Sequence, residues 1–172
     1  SNMGENHLYL NQGNMQFQEV AKLTGAAGRP GPWKTGVSMV DINGDDKLDL
    51  FLSYSGALPE AKRANQVFLN EGNNADGLPR FREAAAELGL ASPAFSNQGY
   101  FLDYDRDGDL DMLLLNHSPK SLPVLNENQT QQMLQTDDPL QGLRLFKQEN
   151  GKFTDQTIQA GIRGTGLSYG LG

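Results

Sequence analysis

The sequence predicts an all-β chain built from a repeated four-strand unit. Three observations lead there. A Phe-x-acid-x-small-x-x-x-Gly unit recurs at Phe17–Gly25, Phe81–Gly89 and Phe153–Gly161 with the same Phe-to-Gly spacing. A short apolar run stands upstream of each copy: Leu8-Tyr9-Leu10-Asn11, Val67-Phe68-Leu69-Asn70 and Leu145-Phe146-Lys147-Gln148. Two nine-residue Asp-rich loops, Asp41–Asp49 and Asp103–Asp111, follow the first two Phe units after 24 and 22 residues. Fixed periods of this kind mark repeat architectures, and reading them first prevents a mistaken fold.

Each element of the unit follows from local chemistry. Gln12-Gly13-Asn14, Glu71-Gly72-Asn73-Asn74 and Asn150-Gly151 are turn sequences, so the runs they join read as β-hairpins. Val37–Val40 and Leu50–Tyr54 flank the first Asp loop as strands; Gly99–Leu102 and Met112–Leu115 flank the second. One repeat is therefore strand A, Asp loop, strand B, connection, strand C, turn, strand D. Pro30, Pro32, Pro59, Pro79, Pro93, Pro119, Pro123 and Pro139 are all expected between strands. Ala84–Leu88 is Ala-rich, but analogy with the other copies predicts a strand end plus turn.

The predicted layout is a cleavage scar at 1–3, a C–D hairpin of a first unit at 4–30, a second unit at 31–92, a third at 93–163, and the start of a further one at 164–172. A third Asp loop would begin near position 176, and Gly166–Gly170 has the look of its approach. The chain thus reads as a piece of something longer. The joint between strands B and C is short in the second unit, Ser55–Ala64, and long in the third, Asn116–Gly142. That polar insertion, with a helical turn expected at Thr130–Leu134, fits either a tolerated surface loop or a binding element.

Composition narrows the function. The chain has 172 residues and a net charge of −7. The two Asp loops hold nine of the 21 acids and two of the 14 bases, so these eighteen residues carry all of the net charge. Elsewhere acids and bases balance, no basic stripe exists, and a nucleic-acid partner is not expected. No apolar run reaches membrane-spanning length, so membrane insertion is not expected. The absence of cysteine excludes a disulfide framework, Cys-bound zinc and thiol nucleophiles, and favours a bacterial surface protein over a secreted animal module.

The Asp loops carry the chemistry. Hard divalent cations take oxygen ligands, and calcium takes six to eight. Positions 1, 3, 5 and 9 bear oxygen in both loops: Asp41, Asn43, Asp45 and Asp49, then Asp103, Asp105, Asp107 and Asp111. Position 7 is Lys47 in one and Asp109 in the other. An ammonium cannot ligate a cation, so both are expected to offer a backbone carbonyl. Gly44 and Gly108 are expected to supply backbone freedom. Two calcium sites follow, the second tighter because it has four carboxylates. An EF-hand is excluded, since position 12 is Leu52 or Leu114 where that motif needs Glu. Magnesium suits the loops less, and acidic turns without metal are the plainer alternative.

Other chemistry finds little support. His7 and His117 read as ordinary surface residues. No zinc-binding His pattern or nucleophile elbow occurs, and Gly164-x-Gly166 reads as a loop. Trp33 fits an exposed contact and a core residue equally. No catalytic residue is assigned and no enzyme activity is expected.

The runs VDINGDDKLDLFLS and LDYDRDGDLDMLLLN resemble FG-GAP repeats of the VCBS type, related to the propeller repeats of integrin α-subunits. The Phe-to-Gly units and the terminal LSYGLG resemble the ASPIC/UnbV-associated, cartilage-acidic-protein-like branch. That resemblance implies a β-propeller fragment with calcium loops between strands A and B, in a secreted or cell-surface protein. It implies adhesion through a protein or glycan ligand, with calcium in a structural role. Two other readings remain: an accessory part of a larger surface enzyme, such as a polysaccharide-degrading protein, and a lectin-like domain that holds sugar through calcium. Integrin-type Phe-Gly and Gly-Ala-Pro signatures are missing, though Gly36 and Gly99 stand near the first. Open propeller edges predict edge-to-edge self-association.

Overall fold

Strand pairing in the computed structural model follows the repeat. The structure describes residues 4–31, 33–118 and 126–162. Strands β1 (Tyr9–Gly13) and β2 (Gln16–Glu19) form a hairpin. Strands β3 (Lys34–Val40), β4 (Asp49–Tyr54), β5 (Gln66–Asn73) and β6 (Pro79–Glu83) form one antiparallel sheet in chain order. Strands β7 (Ser96–Leu102), β8 (Asp111–Asn116), β9 (Leu143–Glu149) and β10 (Lys152–Asp155) form a second sheet of the same order. Each four-stranded sheet is thus the A-B-C-D unit, and the Asp loops join β3 to β4 and β7 to β8. The expected start of a further unit at 164–172 and the scar at 1–3 lie outside the described residues.

The sheets stack because their central strands are apolar on both faces. Every residue of β4 is buried. Leu50, Leu52 and Tyr54 pack with Phe68, Ala26, Leu8 and Phe81 on the side of the β1–β2 hairpin. Phe51, one position out of phase, packs with Val67, Leu69, Met112, Leu114, Phe146 and Phe153 on the other side. Period-two alternation sends successive side chains to opposite faces, so a strand covered on both faces reads as a continuous apolar run.

A polar seam runs beside that core where β3 meets β7. The Thr35 hydroxyl donates to the Ser96 carbonyl at 2.6 Å, and the Ser38 hydroxyl donates to the Gly99 carbonyl at 2.6 Å. The Ser53 hydroxyl donates to the Asn97 carbonyl at 2.8 Å. Gly36 lies against Gln98 and Asn97, and Gly99 against Phe51, with no room for a side chain at either.

Two of the three Phe-to-Gly units end in a short helix, contrary to the strand end plus turn expected at Ala84–Leu88, while the third ends in a turn at 157–161. Helix α1 covers Ala21–Thr24 and helix α3 covers Ala85–Leu88; helix α2 (Glu60–Arg63) lies in the joint between β4 and β5. Ala is the best helix former, and the carboxylates of Glu19 and Glu83 accept the backbone N–H groups of Ala21 and Ala85. Gly25 and Gly89 close these helices at φ +83° and +81°. Both also touch the following sheet. A Cβ on Gly25 would overlap the Phe81 carbonyl oxygen, and one on Gly89 the Phe153 carbonyl oxygen. In these two copies the Gly is therefore both helix stop and packing point.

Two further expectations need correction. Pro79 opens β6 instead of lying between strands, at the strand start where a missing N–H is tolerated. The insertion contains helix α4 (Glu127–Gln135), longer than the turn expected at Thr130–Leu134. After α4, the buried Arg144 guanidinium pairs with Asp137 and, at 2.7 Å, with Asp155, tying the end of the insertion to β10.

Candidate metal centre

Both Asp loops are wound by hydrogen bonds from their own backbone. In the first, Asp41 accepts the N–H groups of Gly44 (2.8 Å), Asp45 (3.0 Å) and Asp46 (2.7 Å). In the second, Asp103 accepts those of Asp107 (3.1 Å) and Gly108 (3.2 Å). Position 5 caps position 7 in each: Asp45 accepts from Lys47 N–H and Asp107 from Asp109 N–H, at 3.0 and 3.1 Å.

This winding demands left-handed backbone at two positions, not one. Position 4 has φ +74° at Gly44 and +63° at Arg106; position 6 has +64° at Asp46 and +97° at Gly108. Each loop thus has glycine at one such position and a side chain at the other. The sequence shows both glycines, but not that they occupy different positions of a common turn.

Position 9 proves to be more than a ligand candidate. Asp49 and Asp111 are fully buried. Asp49 accepts N–H from Ile42 at 2.9 Å and from Asn70 of β5 at 2.7 Å. Asp111 accepts N–H from Tyr104 at 3.1 Å and from Gln148 of β9 at 2.9 Å. Each carboxylate ties its loop to the third strand of its sheet. Burial raises both carboxyls above the ordinary range. The two N–H donors pull each down, and the neighbouring loop carboxylates, Asp45 and Asp41 or Asp105 and Asp107, push it up again. Among the described residues, no ion pair reaches either group.

The second loop gathers its acids. Carboxylate oxygens of Asp103, Asp105 and Asp111 lie within 4.8 Å of one another. No comparable acidic triad forms in the first loop among the described residues. There Asn43 accepts from the Asp45 N–H at 3.2 Å, and the Lys47 ammonium pairs with Asp45 at 2.9 Å. Asp105 of the triad pairs with the Lys147 ammonium at 2.6 Å, and Asp107, outside the triad, lies 3.5 Å from the same group. Asp109 is exposed. An all-oxygen set around a buried, uncompensated carboxylate has the chemistry of a hard-cation site. The residues present therefore fit a calcium ion, better in the second loop than in the first.

Comparison with known proteins adds one finding. Residues 1–52 match the model of the FG-GAP-like repeat. An FG-GAP-like repeat is therefore present. The match takes in the β1–β2 hairpin, β3, the first Asp loop and the start of β4. With the two four-stranded antiparallel sheets, it makes the chain a β-propeller-like repeat segment, each sheet a blade. No curated protein matches the chain.

The remaining candidates resolve as follows. His7 is exposed and sits 3.8 Å from Glu19. His117 is not the surface residue expected. It is half-buried between the blades, with Nδ1 2.8 Å from the Asn97 side-chain oxygen and Nε2 3.3 Å from the Ser55 hydroxyl. Its ring also meets Phe95 edge-on. Trp33 is 61% exposed and takes a left-handed backbone at φ +66°.

Proposed function

We propose that this chain is a non-catalytic, calcium-stabilised propeller segment of a secreted or cell-surface protein, with a protein or glycan as ligand. The observation that carries the calcium reading is the second loop, where three aspartates converge on one point at the mouth of a β7–β8 hairpin. Asp103, Asp105, Asp107 and Asp111 would hold the ion there; Asp41, Asn43, Asp45 and Asp49 would hold one in the first loop. Lys47 and Asp109 are assigned backbone-carbonyl roles. The ion's contribution is charge neutralisation: carboxylates crowded within a few ångströms repel by about 1 kcal/mol or more per pair near a surface. Binding free energy then becomes folding free energy.

The interaction role in this reading rests on the propeller-like repeat, whose loops join paired strands at the sheet ends. His117 is braced between blades by Asn97 and Ser55. No helix among the described residues is long and apolar enough to cross a membrane. The test is thermal unfolding in calcium and in chelator. A ligand at 100 times its Kd stabilises by about 2.7 kcal/mol, which raises Tm by roughly 5–10 °C for a chain of this size. Equal melting temperatures in the two buffers would remove the calcium reading. Magnesium at the same concentration should give the smaller shift.

A further inference from the structure

Lys147 on β9 occupies the register that Leu69 fills on β5. The match is fixed by hydrogen bonding: Asn70 N–H donates to Asp49 in one blade, and Gln148 N–H donates to Asp111 in the other. Leu69 and Lys147 are the residues just before these donors. Leu69 is buried in the core between the blades. The Lys147 side chain is only 21% exposed, yet its ammonium turns into the second Asp loop. It stands 2.6 Å from Asp105, 3.5 Å from Asp107 and 3.4 Å from Glu149.

Two of those three carboxylates are assigned to the calcium site. A lysine ammonium is a compact, donor-only point charge and cannot share a carboxylate oxygen with a divalent ion at contact distance. Lys47 makes a related contact to Asp45 in the first loop, at 2.9 Å, but from within the loop and with a side chain 41% exposed. Lys147 reaches in from β9, a strand that begins 32 residues after the loop ends, and is better shielded from water.

We propose that Lys147 is a tethered competitor for the cation of the second loop: its ammonium holds Asp105 and Asp107, and it would have to release them for those carboxylates to hold calcium. The inference rests on the calcium reading above. Without the ion the ammonium would offset part of the loop's negative charge. In the presence of calcium its displacement weakens binding below what four carboxylates alone would give. Lys147 therefore sets the affinity of the second site without being one of its ligands.

Titration calorimetry with calcium chloride tests this in an Asp45→Ala background, which removes a ligand oxygen from the first loop. The variants are Lys147→Leu, the residue that β5 carries at this register, Lys147→Gln in case the leucine variant folds poorly, and Lys147→Arg. Removing the charge should tighten binding roughly tenfold or more, the effect of one neighbouring unit charge at partly screened distance. The arginine variant should stay near the parent. In chelator, Lys147→Leu and Lys147→Gln should melt below the parent, and in saturating calcium above it. Calcium binding by the parent with equal or weaker binding by both neutral variants overturns the competition and leaves the calcium reading standing. Binding by none of the four proteins overturns both. Binding by the neutral variants alone supports the competition in its strongest form.

Discussion

Replacing Asp49 by Ala should destabilise the protein even without metal. The Asp49 carboxylate is fully buried and is the recorded acceptor for the N–H groups of Ile42 and Asn70, at 2.9 and 2.7 Å. Truncation strands both donors, and an unsatisfied buried donor costs about 1–3 kcal/mol. Against this, burial raises the Asp49 carboxyl, so its ionised form carries a desolvation penalty that the alanine removes. The net expectation is a loss of about 2–3 kcal/mol, or roughly 5–10 °C in Tm for a chain of 172 residues. The assay is thermal and urea unfolding in chelator, so that loss of a metal ligand contributes nothing. Asp45→Ala is the internal comparison. Asp45 is exposed and its recorded contacts lie within its own loop, so the change should stay within about 0.5 kcal/mol in chelator. If Asp49→Ala is no worse than Asp45→Ala there, Asp49 does not tie the loop to β5 and acts as a ligand only.

Two further substitutions separate backbone strain from packing. Gly89 and Gly161 share nearly the same φ, +81° and +76°, but a Cβ on Gly89 would strike the Phe153 carbonyl, whereas one on Gly161 meets no atom within 4 Å among the described residues. Gly161→Ala should cost only the left-handed penalty of about 1–2 kcal/mol, and Gly89→Ala clearly more; equal urea midpoints would show that the close approach is unimportant. In the second loop, Arg106→Gly should stabilise by about 0.5 kcal/mol, the left-handed cost of arginine less the entropy of glycine. A lower unfolding midpoint for this variant would mean that the Arg106 side chain contributes a contact outweighing the strain.

Much of this architecture can be read from the chain alone because its determinants are local. Turn chemistry at Gly13-Asn14 and Asn150-Gly151 and the apolar runs beside them place hairpins. The alternation of acids along Asp103–Asp111 places a loop whose carboxylates converge. The helix at Ala85–Leu88 was legible too, from its alanines, but analogy with less Ala-rich copies hides it. The Phe-to-Gly spacing is visible without its reason, since the Phe153 carbonyl that excludes a side chain from Gly89 lies 64 residues away.

What tertiary structure alone decides concerns groups brought together by sheet stacking and strand pairing. A β-strand is legible from its alternation, but which residue on a neighbouring strand faces it depends on register and blade packing, which no local pattern encodes. So the sequence by itself determines two oxygen-rich loops, their place between strands A and B, and an all-β repeat to carry them. Only the fold makes Asp49 and Asp111 buried ties to the third strand. Only the fold sets His117 between Asn97 and Ser55. And only the pairing of β9 with β8 carries the Lys147 ammonium onto Asp105, giving the more acidic loop a resident positive charge that a ligand count leaves out.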